Sequence, residues 1–246
     1  MAYSSPMQPS RNLILASLPK AVYQKLLPSL TSVQLRDGDI LYEAGRTIKF
    51  VYFPIASLVS FLSLVDRHLP LEVGLVGREG MVGAPLALGG LVSTVRALVQ
   101  GTGEALQIEA ERFLQVMQDT PLLEKSVLLY VNELLGQVTQ TAACNRFHHI
   151  DARLARWLLM TRDRVGSAEF HMTHEFLAAM LGVRREGVTE AASLFKAQRL
   201  IDYSRGNIII QNHEGLEAAS CSCYAGGSHT LAPWRPTLSP AVRRSS

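Results

Sequence analysis

The apolar residues of this chain fall into zones of different period. From about Val33 to Ile108 they alternate with polar residues in short runs: Val33/Leu35, Ile40/Tyr42, Val51/Phe53, Val59/Phe61, Leu69/Leu71/Val73/Leu75 and Val95/Ala97/Val99. Period-two runs of this length, separated by glycine-rich turns, predict an antiparallel β sandwich or barrel. A helical segment near Leu13–Leu30 precedes them. At Pro121 the period becomes helical, with the proline suited to the first turn and Asp119 or Thr120 as the cap. Two apolar stripes then run side by side, Leu123, Val127, Tyr130, Leu134 and Leu128, Val131, Leu135, Val138, Ala142. Two adjacent stripes predict a helix buried on two sides. One side would cover the β domain; the other fits equally a second chain or an inner face of the same monomer.

The third zone, Ile150–Ala219, is helical and ends in a hairpin. Arg153–Arg164 carries an apolar face of Leu154, Trp157, Leu158 and Val165. Ile201–Tyr203, Ser204–Asn207 and Ile208–Ile210 read as strand, tight turn and strand. The pattern divides the chain into a β domain over 11–120, a long helix over 121–146, a helical domain over 147–220 and a disordered tail over 221–246.

Composition narrows the class. A length of 246 residues favours two domains, and 48% hydrophobic residues suffice for real cores. No run reaches the ~20 uninterrupted apolar residues of a membrane helix, and Met1–Ser10 lacks the features of a secretion signal. The expectation is a cytoplasmic protein without a membrane partner. Three cysteines, an odd number, argue against a disulfide framework. The net charge of +3 permits nucleic-acid binding without arguing for it.

The stretch Met172–Lys196 is the most informative. Thr173 can cap a helix that Glu175 suits at its positive end, and Gly182 can end it in the left-handed conformation. A second helix starts at once, near Arg184. Ala178 lies four residues before the glycine and Val188 six after it, with Phe176, Leu177, Leu181 and Leu194 completing a core. A small residue, a glycine and an apolar residue at these offsets form the helix-turn-helix pattern, which an ordinary helical hairpin also matches by chance. The polar face separates the two readings. Arg184, Arg185, Glu186, Thr189 and Glu190 cluster at the start of the second helix, where this motif enters the major groove. Arg can hold guanine O6 and N7 through two hydrogen bonds, and Glu can accept from cytosine N4. Thr173, Lys196, Arg199 and Arg205 suit phosphate contacts, with Arg205-Gly206 at the tip of a wing.

The chain from about Leu13 to Ala219 resembles the Crp/Fnr family of bacterial regulators, most specifically over Gly182-Val-Arg-Arg-Glu-Gly-Val-Thr189. The resemblance implies an α+β protein with an N-terminal cyclic-nucleotide-binding-type β-roll, a long dimerisation helix (Pro121–Asn145) and a C-terminal winged helix-turn-helix. It implies a homodimer on double-stranded DNA, and turns the second stripe toward the dimer reading. It leaves RNA polymerase as a candidate partner. Arg185 and Glu186 fall on the family's base-reading arginine and glutamate. Glu190 departs from the cyclic-AMP receptor protein, which carries a further base-contacting arginine there, so the target site should differ.

The sensor half departs further. Cyclic-nucleotide binders of this family hold the sugar with a glutamate after a glycine and the phosphate with an arginine before a Ser/Thr-Ala pair. Here those positions are Ala84 and Ser93, and Arg96 points to the opposite strand face. The expectation is therefore no cyclic nucleotide, with the effector left open. No cysteine precedes Cys144, against an N-terminal iron–sulfur centre. His68 is the only histidine before His148, against a cupin-type enzyme. The glycine-rich Gly74–Gly80 reads as sharp turns rather than a phosphate cradle. Cys144, His148, Cys221 and Cys223 flank the helical domain at both ends. They read either as unremarkable cytosolic thiols with solvent-facing histidines or as a metal or redox site coupling the domains. The competing function, from another class, is a cyclic-nucleotide-type module that controls a protein partner.

Overall fold

The computed structural model describes residues 11–65 and 70–224. The expectations for Met1–Ser10, His68, Leu69 and the tail from 225 to 246 lie outside those residues.

The predicted N-terminal helix is broken in two. Helix α1 (Leu13–Ala16) is capped by Asn12, whose Oδ1 accepts from the Ile14 and Leu15 N–H groups. Pro19 then starts α2 (Lys20–Leu26), and Pro28 sits in a closing 3-10 turn. A proline removes a helical donor and clashes with the preceding turn, so one continuous helix cannot pass through Pro19.

Seven strands follow: β1 (Thr31–Leu35), β2 (Ile40–Tyr42), β3 (Phe50–Pro54), β4 (Leu58–Ser63), β5 (Leu71–Val76), β6 (Arg96–Gly101) and β7 (Gly103–Glu109). They pair antiparallel in two sheets, β1-β7-β3 and β2-β6-β4-β5. The inner faces meet in a core that includes Ile48, Val51, Phe53, Met81, Leu86 and Ile108. Strand β7 carries no clear alternation because its fully buried apolar side chains, Ala105 and Ile108, lie three apart and one is small. Yet it is the central strand of its sheet. Helix α3 (Ala110–Asp119) also escaped the sequence pattern; it inserts Phe113, Val116 and Met117 under the roll.

Helix α4 (Pro121–Phe147) has Pro121 in its first turn and Thr120 at the N-cap, though the threonine hydroxyl makes no capping bond. Leu123, Val127 and Tyr130 are buried against the roll, and the Tyr130 hydroxyl donates to the Met81 carbonyl at 3.0 Å. Further along, Gln137 mimics a strand. Its Oε1 accepts from the Leu75 N–H and its Nε2 donates to the Leu75 carbonyl, which satisfies the free edge of β5. The second stripe is more open: Val131 packs against the roll's core, Val138 is half-buried, and Leu128, Ala142 and Leu135, the last at 64%, are exposed.

The C-terminal domain consists of α5 (Ile150–Val165), β8 (Glu169–His171), α6 (His174–Leu181), α7 (Arg185–Ala197), β9 (Ile201–Ser204), β10 (Asn207–Ile210) and α8 (His213–Ala219). Leu154, Trp157 and Leu158 face its core as expected, whereas Val165 is exposed beside the Gly166 cap. Strand β8 was not anticipated, because three residues with one buried side chain, Phe170, carry no periodicity. The chain from 221 to 224, expected in the tail, packs instead: Cys221, Cys223 and Tyr224 are buried, and the Tyr224 hydroxyl donates to Asp163 at 2.9 Å.

Candidate nucleic-acid interface

The turn between α6 and α7 is built as its residues dictate. Thr173 Oγ1 accepts from the Phe176 N–H, closing the start of α6. Gly182 ends α6 at φ +62°, a left-handed conformation that a side chain resists. Ala178 is buried where the helices cross, and Val188 points back at 0% exposure. Leu177 and Leu181 are buried too and Phe176 is half-buried. Leu194, however, is 46% exposed; its place in the core is taken by Phe195, one residue on, with Ala191 and Ala192.

This packing sets the polar end of α7 outward. Arg184 is the N-cap residue and Arg185 the first of the helix; both are exposed, as is Glu186. Among the described residues their side chains make no hydrogen bond or ion pair. Two arginines at the positive end of a helix oppose its dipole, by about 0.3–1 kcal/mol for each exposed charge, so helix stability does not explain them. Thr189 and Glu190 are exposed one turn on. The Thr189 hydroxyl is committed, donating to the Arg185 carbonyl at 3.0 Å.

The wing turns through Arg205 and Gly206, both at positive φ (48° and 87°), between strands paired Ser204 to Asn207. Two positive φ values match the type I′ hairpin turn, one residue pair tighter than the sequence pattern suggests. Lys196 is fastened to the wing: its Nζ lies 2.7 Å from Asp202 and donates to the Tyr203 carbonyl at 3.0 Å. That pairing holds the Asp202 carboxyl below the usual carboxylate range. Arg199 is exposed at φ 56°, where α7 hands over to β9.

One residue of this surface gave no signal in the sequence. His174 stacks on the wing's Tyr203 with ring centroids 4.1 Å apart, and its Nδ1 lies 3.1 Å from Thr189 Oγ1. It therefore joins α6, α7 and the wing. Desolvation, and then the charge of Arg185, push its pKa below the ordinary value, so the ring is neutral at physiological pH.

Residues 152–219 match the family described as Crp-like helix-turn-helix domain. The C-terminal domain is a Crp-like helix-turn-helix domain. No curated protein matches the sequence. In three dimensions the chain is similar to FixK2 from Bradyrhizobium japonicum, at 14% identity and a TM-score of 0.68 over 78% of this chain and 98% of that one. It is similar to the c-di-GMP responsive global regulator CLP from Xanthomonas campestris, at 18% identity and 0.65 over 78% and 99%. It is similar also to a Crp/Fnr-family transcriptional regulator from Thermus thermophilus, at 20% identity and 0.63 over 77% and 98%. The chain has the fold of the Crp/Fnr regulators: a cyclic-nucleotide-binding-like roll, a long helix and the Crp-like helix-turn-helix domain.

Within the roll, Ser93 and the backbone of Gly83, the residue before Ala84, lie beside a buried phenol. Tyr42 is 7% exposed, and its hydroxyl lies close to the Gly83 backbone and the Ser93 side chain. Burial drives its pKa well above the ordinary tyrosine value. Ser93 Oγ is turned onto its own turn, donating to the Val95 carbonyl at 2.7 Å. Arg96 is paired with Glu43 at 2.9 Å. In Gly74–Gly80 the glycines serve close approach, as sharp packing requires: a Cβ at Gly80 would run into the Tyr130 ring. Among the described residues no helix is long and apolar enough to cross a membrane.

At the opposite end of the Crp-like domain, Cys144, His148, Cys221 and Cys223 come together, their ligand atoms all within 4.8 Å of one another. The Cys144 and Cys221 sulfurs are 3.5 Å apart, and Cys223 Sγ is 3.5 Å from His148 Nδ1. Either thiol of the Cys144–Cys221 pair can donate to the other.

Proposed function

We propose that this chain is a homodimeric, sequence-specific DNA-binding transcription regulator that reads an inverted repeat without a cyclic nucleotide. The observation that carries the reading is the free start of α7. Arg184, Arg185 and Glu186 stand exposed and unpartnered among the described residues of a Crp-like helix-turn-helix domain, against the helix dipole. Arg185 reads guanine and Glu186 cytosine; Thr189, its hydroxyl occupied, offers its methyl group to thymine. Arg199 and Arg205 reach phosphates, and Lys196 and Thr173 hold the wing and α6 while adding charge and N–H groups at the backbone. The exposed stripe of α4 supports a second copy, and two copies place their reading helices ~34 Å apart, which requires an inverted repeat.

Independence from cyclic nucleotides is supported by the buried phenol of Tyr42 beside Gly83 and Ser93, and by the pairing of Arg96 with Glu43. A buried phosphate there would lack a cation to meet it.

Selection from random duplexes tests the reading. Wild type, without added nucleotide, should enrich one inverted repeat. Arg185→Ala should lose ~1–3 kcal/mol on that site and relax one base pair in each half. Lys196→Ala should weaken all sequences alike and flatten the salt dependence. Equal binding by wild type and Arg185→Ala refutes the assignment. Failure to enrich any duplex favours a module that acts on a protein partner.

A further inference from the structure

The Cys144 cluster is assembled from two separate places. Cys144 lies in the last turn of α4, and His148 follows four residues later, its N–H still bonded to the Cys144 carbonyl. That spacing puts both side chains on one side of the helix end. Cys221 and Cys223 come from the segment after α8, more than seventy residues on, which Tyr224 pins to α5 through Asp163. All three sulfurs are buried and His148 is half-buried.

We propose that Cys144, His148, Cys221 and Cys223 form a tetrahedral site for one Zn²⁺ ion, which fastens the end of the Crp-like domain to the end of α4. Three sulfurs and an imidazole suit a borderline-soft dication, and a Cys₃His set is a structural zinc combination. The dimensions fit. Metal–sulfur legs of ~2.3 Å set tetrahedral edges of about 3.8 Å. The observed separations of 3.5 Å are close to that edge, and the remainder stay within 4.8 Å. A disulfide between Cys144 and Cys221 would use two of the four groups and leave unexplained why the other two converge. An iron–sulfur cluster spreads its ligands over several irons, wider than this set allows.

The surroundings fit a thiolate site independently. Three thiolates around a dication leave one negative charge, and two buried arginines of α5, Arg153 and Arg156, line one small cavity together with Cys144. The Nε of each has no hydrogen-bond partner among the described residues. Buried cations with orphaned donors are costly unless an anion lies close, and a zinc thiolate centre supplies it. Gln140 Nε2 also donates to Cys223 Sγ at 2.8 Å, the kind of outer hydrogen bond that orients a metal-bound thiolate. The joint between α4 and α5, where the roll's long helix meets the reading domain, is thus cross-linked by metal through the far end of that domain.

The test uses the full chain purified without oxygen or chelator, and it does not involve DNA. Elemental analysis should find zinc at one equivalent per chain. Replacing it with Co²⁺ should give the intense visible bands of a tetrahedral ion together with sulfur-to-metal charge transfer. Removing Gln140 as Gln140→Leu should weaken Zn²⁺ binding roughly 10- to 100-fold in competition with a chromophoric chelator. Cys223→Ser should weaken it further. Amide exchange at Cys221–Tyr224 should slow when Zn²⁺ is added to stripped wild type. The Co²⁺ spectrum needs no variant, so a variant that misfolds cannot obscure the answer. No ion retained after equilibration with Zn²⁺, with three freely titrating thiols in folded wild type, overturns the site. So does a Co²⁺ complex without sulfur charge transfer.

Discussion

Glu72 is a carboxylate placed where hydrophobic burial alone would forbid it. It lies on β5 at 7% exposure, and accepts hydrogen bonds from Ser60 of its own sheet, from Gln100 at 3.1 Å and from Trp157 of α5 at 2.9 Å. Desolvation raises its pKa above the ordinary 4.5, opposed by those three donors and by Arg164. The folded chain thus holds this proton more tightly than the unfolded one. Its contribution to stability is complete below pH 4.5 and fades as the pH rises through the folded value. Glu72→Gln removes the charge, at the cost of turning an amide N–H₂ toward one donor. Urea midpoints of wild type and variant should therefore differ with pH: the wild type should gain stability relative to the variant as the pH is lowered from neutral. Parallel midpoints from about pH 7 to pH 5 would show that Glu72 is already fully ionised in the fold. Such a residue could not be read from the sequence. A lone glutamate between Leu71 and Val73 looks like the polar half of an alternating strand, and only the arrival of Trp157 from another domain makes its face a buried one. The departures at Ala84 and Ser93 were legible because the residue types themselves lack the required chemistry.

Among the elements, α4 and α7 were the most legible, since long helical periods and cap residues are local signals. The exposed Leu194 was misplaced by a simple cause: Phe195 beside it fits the same inward stripe, and the larger ring takes the core. Strand β7 and helix α3 were missed because each is defined by contacts with distant strands rather than by its own alternation. For α4 the pattern offered two partners, and the fold accounts for one. The side carrying Leu123, Val127 and Tyr130 covers the roll, and Leu128, Leu135 and Ala142 on the other side are exposed. Leu135→Asp or Val138→Asp would set a charge in the proposed helix–helix seam without a counter-charge, which is costly to bury. Either variant should be monomeric by light scattering, with a folded roll, because neither side chain serves the core beneath. An unchanged dimer mass would move the seam to another face.

At the scale of the whole molecule, the two domains are docked through apolar and polar contacts rather than tethered by α4 alone. The core of the Crp-like domain takes in Leu62 of β4, and Gln100 of the roll donates to the Met180 sulfur of α6. Another of these contacts is an ion pair between Arg164 of α5 and Glu79 of the roll, with Nε 2.7 Å from Oε1 and side-chain exposures of 3% and 7%. Glu79 also accepts from the Gly77 N–H, and a Cβ at Gly77 would stand 2.9 Å from that of Arg164, so the loop is shaped around the arginine. A buried pair of this kind contributes little against an apolar pair of the same shape, yet removal of one partner leaves a charge stranded, at about 3–5 kcal/mol. Arg164→Met should therefore destabilise the docked chain by roughly that amount, and Glu79→Leu combined with it should recover much of the loss. Because the pair spans two domains, the single variant should also show two calorimetric transitions where wild type shows one, as the roll and the Crp-like domain cease to melt together. A single variant that melts like wild type would mean that docking rests on the apolar contacts of Leu62 and Trp157, with the ion pair a consequence of docking rather than its cause.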